Sequence, residues 1–153
     1  MNYWLFKSEP LAFSIDDLEK SENQTTYWDG IRNYQARNFL RDTAKPGDLG
    51  IYYHSNSEPP AAVGTVTVVS EGYPDFTALD PNSDYYDPAC TEEKPVWYMV
   101  DIKLLKKFKK PVTLPEIKSK DILANCRLVA KGNRLSVFPV TEEEFNEIVR
   151  LGE

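Results

Sequence analysis

The residue types best suited to chemistry crowd into one stretch, Trp28-Asp29-Gly30-Ile31-Arg32-Asn33-Tyr34-Gln35-Ala36-Arg37-Asn38. An indole in such company can serve as a stacking platform, worth roughly 1–3 kcal/mol per nucleic-acid base. Asn and Gln amides can pair with a base edge at two points, and an Arg guanidinium grips phosphate with its planar fork. The same residues have a plainer use, with Trp28 filling the core and the arginines pairing with nearby acids. Their spacing leaves both uses open. Lys7-Ser8-Glu9 is a second group of complementary chemistry, set at the end of a short aromatic run. It is either a site at a strand end or a turn with Pro10.

Catalytic machinery is harder to assemble. His54 is the only histidine, and its neighbour Ser55 would point to the opposite face of a strand. No Gly-x-Ser-x-Gly elbow occurs, and the seven glycines are scattered rather than gathered into a phosphate loop. His54 therefore reads first as a hydrogen-bonded strand residue. Cys90 and Cys126 lie far apart without metal-ligand spacing, so no metal and no cofactor are expected.

The elements that must position these residues can be read from pattern. Tyr3 to Lys7 is a first strand stopped by Pro10, and Ser14 is the N-cap of a short helix with acids in its first turn. Asn33 to Asp42 reads as a second helix closed by Pro46-Gly47. Ala36, Phe39 and Leu40 share one of its faces, and Tyr34, Arg37, Asn38 and Arg41 the other. Asp48–His54 and Ala61–Val69 are adjacent strands. Gly72 to Lys94 shows no period and reads as a long loop, of a length that usually carries function. Val96–Leu105 and Arg134–Val140 are further strands, and Leu114–Lys131 holds one or two short helices. The capping box Thr141 to Glu144 opens a C-terminal helix with Phe145, Ile148 and Val149 as its buried stripe. Without repeats or a linker, residues 1–153 read as one α+β domain around a small, barrel-like sheet.

Composition adds exclusions. The chain of 153 residues carries 18 Lys+Arg against 24 Asp+Glu, a net charge of −6. That rules out a protein that clings to nucleic acid through bulk positive charge. Charge is also segregated: Glu71–Glu93 holds acids without a base, and Lys103–Lys120 holds seven lysines. Both runs are equally consistent with solvated surface. No apolar run approaches the roughly 18–20 residues of a membrane span, so no membrane partner is expected. The opening residues do not resemble a secretory leader, which points to a cytosolic protein with reduced thiols.

The residues also carry a resemblance. Tyr3-Trp4-Leu5-Phe6-Lys7-Ser8-Glu9-Pro10, Trp28 to Leu40, Tyr52-Tyr53-His54-Ser55, Tyr73 to Asp80 and Arg134 to Thr141 resemble, in order and from end to end, the EVE domain. That family has a PUA-like fold and is related to the ASCH and YTH domains. The resemblance implies a small mixed β-barrel flanked by short helices. It implies a non-enzymatic module that accepts a modified base, methylated or hydroxymethylated cytosine or methylated adenine, between aromatic walls. The partner would be modified DNA, modified RNA or a modified nucleotide. Trp28 then resembles the first wall of the cage. Lys7, Ser8 and Asn33 would read the edge or touch the backbone, Tyr53 and His54 would line the floor, and Tyr73, Asp75 or Tyr85 would close the pocket. Arg32, Arg37 and Arg134 would meet phosphate. One departure stands out: the family commonly has Pro-Gly-Ile where this chain reads Pro60-Ala61-Ala62-Val63, so a glycine conformation there would be lost.

Two other functions compete with a base reader. A small hydrolase of modified nucleosides, as in ASCH-like relatives, would use Lys7 and Glu9. A protein-interaction module would draw on the acidic loop. The oligomeric state is left open, a monomer being compatible with everything above.

Overall fold

The computed structural model describes residues 1–133 and 135–153. Its first strand, β1 (Tyr3–Ser8), contains the run Trp4-Leu5-Phe6, all three fully buried, as expected of a strand covered on both faces. Seven more strands follow: β2 (Thr25–Tyr27), β3 (Leu49–His54), β4 (Ala61–Val68), β5 (Tyr73–Pro74), β6 (Tyr98–Met99), β7 (Asp101–Thr113) and β8 (Val137–Val140). Six of the eight described strands form one curled sheet in the order β2-β7-β4-β3-β1-β8, while β5 and β6 pair separately. Among the described residues only β1 and β3 run parallel, in a register that sets Lys7 opposite Tyr53 and Ser8 opposite His54. This is the α+β, half-barrel architecture that the sequence implies.

Short helices flank the sheet: α1 (Pro10–Phe13), α2 (Ile15–Lys20), α3 (Tyr34–Asn38), α4 (Leu114–Lys118) and α5 (Glu142–Gly152). Ser14 and Asp17 form a reciprocal capping box at α2, as do Thr141 and Glu144 at α5, so local sequence fixes where both helices begin. On α5 the buried stripe is Phe145, Ile148 and Leu151, with Val149 only partly covered. Helix α3 continues through a wider turn at Phe39–Thr43 that buries Leu40.

Three stretches depart from expectation. Strand β2 goes unread in the sequence because three residues are too few for a period. Strand β7 continues eight residues past Leu105, carrying most of the lysine run. Its pairing with β4 extends to Thr113 opposite Ala61, and Lys107 is neutralised by Asp16 at 2.6 Å and Glu19 at 3.3 Å. The segment Gly72–Lys94 is a loop, but an anchored one: Ala78, Cys90 and Trp97 form a small apolar cluster of their own. Ala61 lies in β4 without a positive φ, so the alanine takes ordinary extended backbone where the family commonly has glycine.

Candidate functional site

A cleft of about 600 Å³ opens where β1 ends and β2 runs into the Trp28–Ile31 segment. Lys7, Ser8, Tyr27, Trp28, Asp29 and Tyr85 are among its walls. The Trp28 backbone N–H donates to the Val100 carbonyl at 2.7 Å, which fixes the indole beside the sheet. Its ring meets Phe6 edge-on at 5.4 Å and Tyr52 edge-on at 5.6 Å between centroids. Only 8% of Trp28 is exposed, so it belongs to the core and to the cleft at once. The Ser8 and Tyr52 hydroxyls both donate to the Phe13 carbonyl, at 2.8 and 2.7 Å, tying α1 to the cleft floor. Lys7 is half-buried, with its Nζ 5.8 Å from the Phe138 ring centroid, and burial lowers its pKa.

The opposite wall comes from the long loop. Tyr85 packs directly on Gly30: a Cβ built there would fall 2.6 Å from the Tyr85 ring, and φ is +79°. Only glycine combines that conformation with that approach. Arg32 then clamps the loop, donating to the Tyr85 carbonyl at 2.6 Å and to the Asp75 carboxylate at 3.1 Å. Asp75 also accepts from the Gly30 N–H at 2.9 Å and from the Thr77 N–H and hydroxyl. Burial alone would raise its pKa, but these hydrogen bonds outweigh burial and hold it below the ordinary carboxylate value.

Of the residues singled out from sequence, Lys7, Ser8, Trp28 and Tyr85 line this cleft together. Asp75 and Arg32 stand behind it as the clamp, so the Arg32 guanidinium is spent on the protein rather than offered to phosphate. Arg37 is likewise engaged, donating to the Val96 carbonyl and the Asn38 side chain, both at 2.9 Å. Asn33 caps α3, accepting from the Ala36 N–H at 3.0 Å. Tyr73 donates to Asp101 at 2.5 Å. His54 accepts the Ile15 N–H through Nε2 at 3.1 Å, and burial lowers its pKa. Tyr53 is 2% exposed, with burial pushing its hydroxyl up to about 12. None of Asn33, Tyr53, His54, Tyr73, Asp75 or Arg37 lines the cleft, because each serves a cap, a strand contact or the core. Arg134 lies outside the described residues.

Sequence reasoning passed over Tyr27, Asp29 and Tyr52. The two-residue period of β3 carried the signal for the last: Tyr52 sits opposite Phe6, the other ring that touches Trp28. A neighbouring groove of about 420 Å³, lined by Asn33, Gln35, Arg127 and Lys131 among others, was also missed, since it arises from the segment without a clear period.

The chain as a whole is similar to known proteins. The EVE domain model matches residues 2–151. Thymocyte nuclear protein 1 of Gallus gallus is 42% identical, the match covering 99% of this chain and 69% of that protein. The crystal structure of human THYN1 protein in complex with 5-methylcytosine-containing DNA superimposes with a TM-score of 0.94 at 40% identity, covering 100% of this chain and 98% of that one. An ASCH protein from Zymomonas mobilis, 11% identical with a TM-score of 0.57, shares the fold alone. A nuclear relative lends the cytosolic expectation no support. Among the described residues, no helix is long and apolar enough to cross a membrane.

Proposed function

The chain belongs to the EVE domain family, and from that premise we propose that it binds nucleic acid by accepting a single modified base, 5-methylcytosine in DNA foremost, into the Trp28–Tyr85 cleft. The observation that carries this reading is the cleft itself: a rigid indole backed by two rings, a tyrosine held on a glycine, and Lys7 all line one hollow. The human relative solved with 5-methylcytosine-containing DNA supports DNA, and cytosine, over RNA and adenine. Stacking on the rings supplies sequence-tolerant affinity, and edge groups supply discrimination. The methyl group adds only about 1 kcal/mol by burial, so the preference over unmodified cytosine is modest. A base extruded from a duplex costs a few kcal/mol, which a single strand avoids.

Fluorescence anisotropy with a labelled single-stranded oligonucleotide carrying one 5-methylcytosine tests this. Tyr85→Ala, a change at a wall 42% exposed to solvent, is expected to weaken binding about tenfold. Its melting temperature should stay close to that of the parent protein. Equal binding by the parent and by Tyr85→Ala, in protein that melts normally, overturns the cleft as the binding site.

A further inference from the structure

Trp28 differs from the other two tryptophans in one respect. Trp4 donates its indole N–H to Asp48 at 3.0 Å and Trp97 donates to Asp87 at 2.7 Å. Among the described residues the Trp28 indole N–H has no acceptor, and no fully buried polar side-chain atom lacks a partner. The Trp28 N–H therefore keeps contact with solvent, and the cleft is the hollow that Trp28 lines. Two charged groups there make no ion pair or hydrogen bond with another described residue, the Lys7 ammonium resting only over the Phe138 ring. No described carboxylate comes within ion-pair distance of the Lys7 ammonium. The Asp29 carboxylate, half-buried in the same wall, accepts no hydrogen bond from any other described residue. Half-buried polar groups without partners are costly in an apo protein and useful in a binding one.

Together the three groups present one acceptor and two donors around an aromatic slot. A cytosine edge offers one donor, its 4-amino group, and two acceptors, N3 and O2. Thymine and uracil present a 4-oxo group and an N3–H, which would bring an acceptor against Asp29 and a donor against the donors. Adenine matches the first two groups but has a C–H where O2 would stand, leaving one donor unmet. Guanine offers the inverse order. We propose that Asp29 is the specificity-determining residue of the cleft, accepting the 4-amino group of a cytosine base while Lys7 and the Trp28 indole N–H donate to its N3 and O2 side. This assignment rests on the base-binding reading above and adds to it which base edge is read and by which side chain. Burial and then the nearby Asp75 carboxylate push the Asp29 carboxyl above its ordinary value. An amino donor from a ligand would relieve that desolvation by hydrogen-bonding the ionised form.

The sharpest comparison is 5-methylcytosine against thymine, which share the ring and the methyl and differ only at the 4-position and N3. Two single-stranded oligonucleotides identical except for that base are titrated against the parent protein, Asp29→Asn and Asp29→Ala, with thermal melting confirming that each variant folds. The parent is expected to prefer 5-methylcytosine at least tenfold, since a site built to pair a polar group rejects the analogue that leaves it unmet. Asp29→Asn, whose amide can donate to a 4-oxo group, should bring the ratio to within about threefold of unity. Asp29→Ala should lose the preference by weakening 5-methylcytosine alone. A folded Asp29→Asn protein that keeps the parent's full preference overturns the role of Asp29 and leaves the cleft standing. If Tyr85→Ala binds as the parent does, the cleft itself is wrong and the assignment falls with it.

Discussion

Trp28 is the residue on which structure and binding meet, and the two roles predict different outcomes for different substitutions. The residue is only 8% exposed, and its ring touches both Phe6 and Tyr52 edge-on. Truncation to Ala removes a buried aromatic side chain, which costs about 3–5 kcal/mol, a large share of a typical domain's stability. Trp28→Ala should therefore lower the urea midpoint sharply and lose binding for that reason alone. Trp28→Phe keeps most of the apolar volume but lacks the indole N–H. It is expected to cost about 1–2 kcal/mol in urea unfolding while weakening binding beyond what the loss of folded protein explains. If Trp28→Ala unfolds at the parent's urea concentration, the indole is not part of the core. At this scale the sequence was half legible. The residue types in Lys7-Ser8 and Trp28 announced themselves, whereas Tyr52 and Tyr53 are identical letters whose faces differ only by the alternation of β3. Asn33 and His54 look like binding residues by type, and nothing local reveals that a helix start claims each of them.

At the scale of elements, the long Gly72–Lys94 loop becomes a wall only because Arg32 reaches across to it. Asp75 has a fully buried side chain and one cationic partner, Arg32, with 23% exposure. Removing that partner strands a buried carboxylate, at a cost of about 3 kcal/mol. Arg32→Gln is expected to raise hydrogen exchange across residues 76–90 and to weaken binding by releasing Tyr85. Its log–log salt slope should match that of the parent protein, because Arg32 meets no phosphate in this reading. A slope shallower by about 0.7, with exchange unchanged, would assign Arg32 to phosphate instead. The loop's length and acidity were plain in the sequence, with seven acids and no base between Glu71 and Glu93, but solvated surface explained them as well as any partner did. Which arginine supplied it was hidden, because Arg32 and Asp75 are 43 residues apart. Capping boxes, by contrast, are local, and both helices that carry one began where the sequence put them. Strand β7 shows the opposite limit: a run of lysines carries no strand period, and beyond Leu105 it is pairing with β4 that holds it extended.

For the whole molecule, the net charge of −6 constrains how a nucleic acid can be held. Most cations with a close partner are already neutralised: Lys107 by Asp16 and Glu19, Lys45 by Glu71, Arg41 by Asp42 and Arg150 by Glu147. Of the described residues lining the cleft or the adjoining groove, the cations without a carboxylate at ion-pair distance are Lys7, Arg127 and Lys131, the last two in the groove. The ends of the two hollows are continuous along the chain, since Ile31 and Ser136 line the cleft while Asn33 and Leu135 line the groove. A strand whose base enters the cleft can thus run its flanking phosphates along Arg127 and Lys131. Each phosphate neutralised contributes about 0.7 to the salt slope for a single strand, so two phosphates give an expected slope of about −1.4. Replacing both Arg127 and Lys131 by Gln should make that slope shallower by about 1.4 and weaken every oligonucleotide alike. The preference for 5-methylcytosine over thymine should be untouched, because phosphate contacts position a strand without reading its sequence. Anisotropy titrations at four salt concentrations measure both quantities at once. A parent slope steeper than about −5 would mean that many phosphates are engaged, and an acidic protein could then not be holding its ligand chiefly by one stacked base.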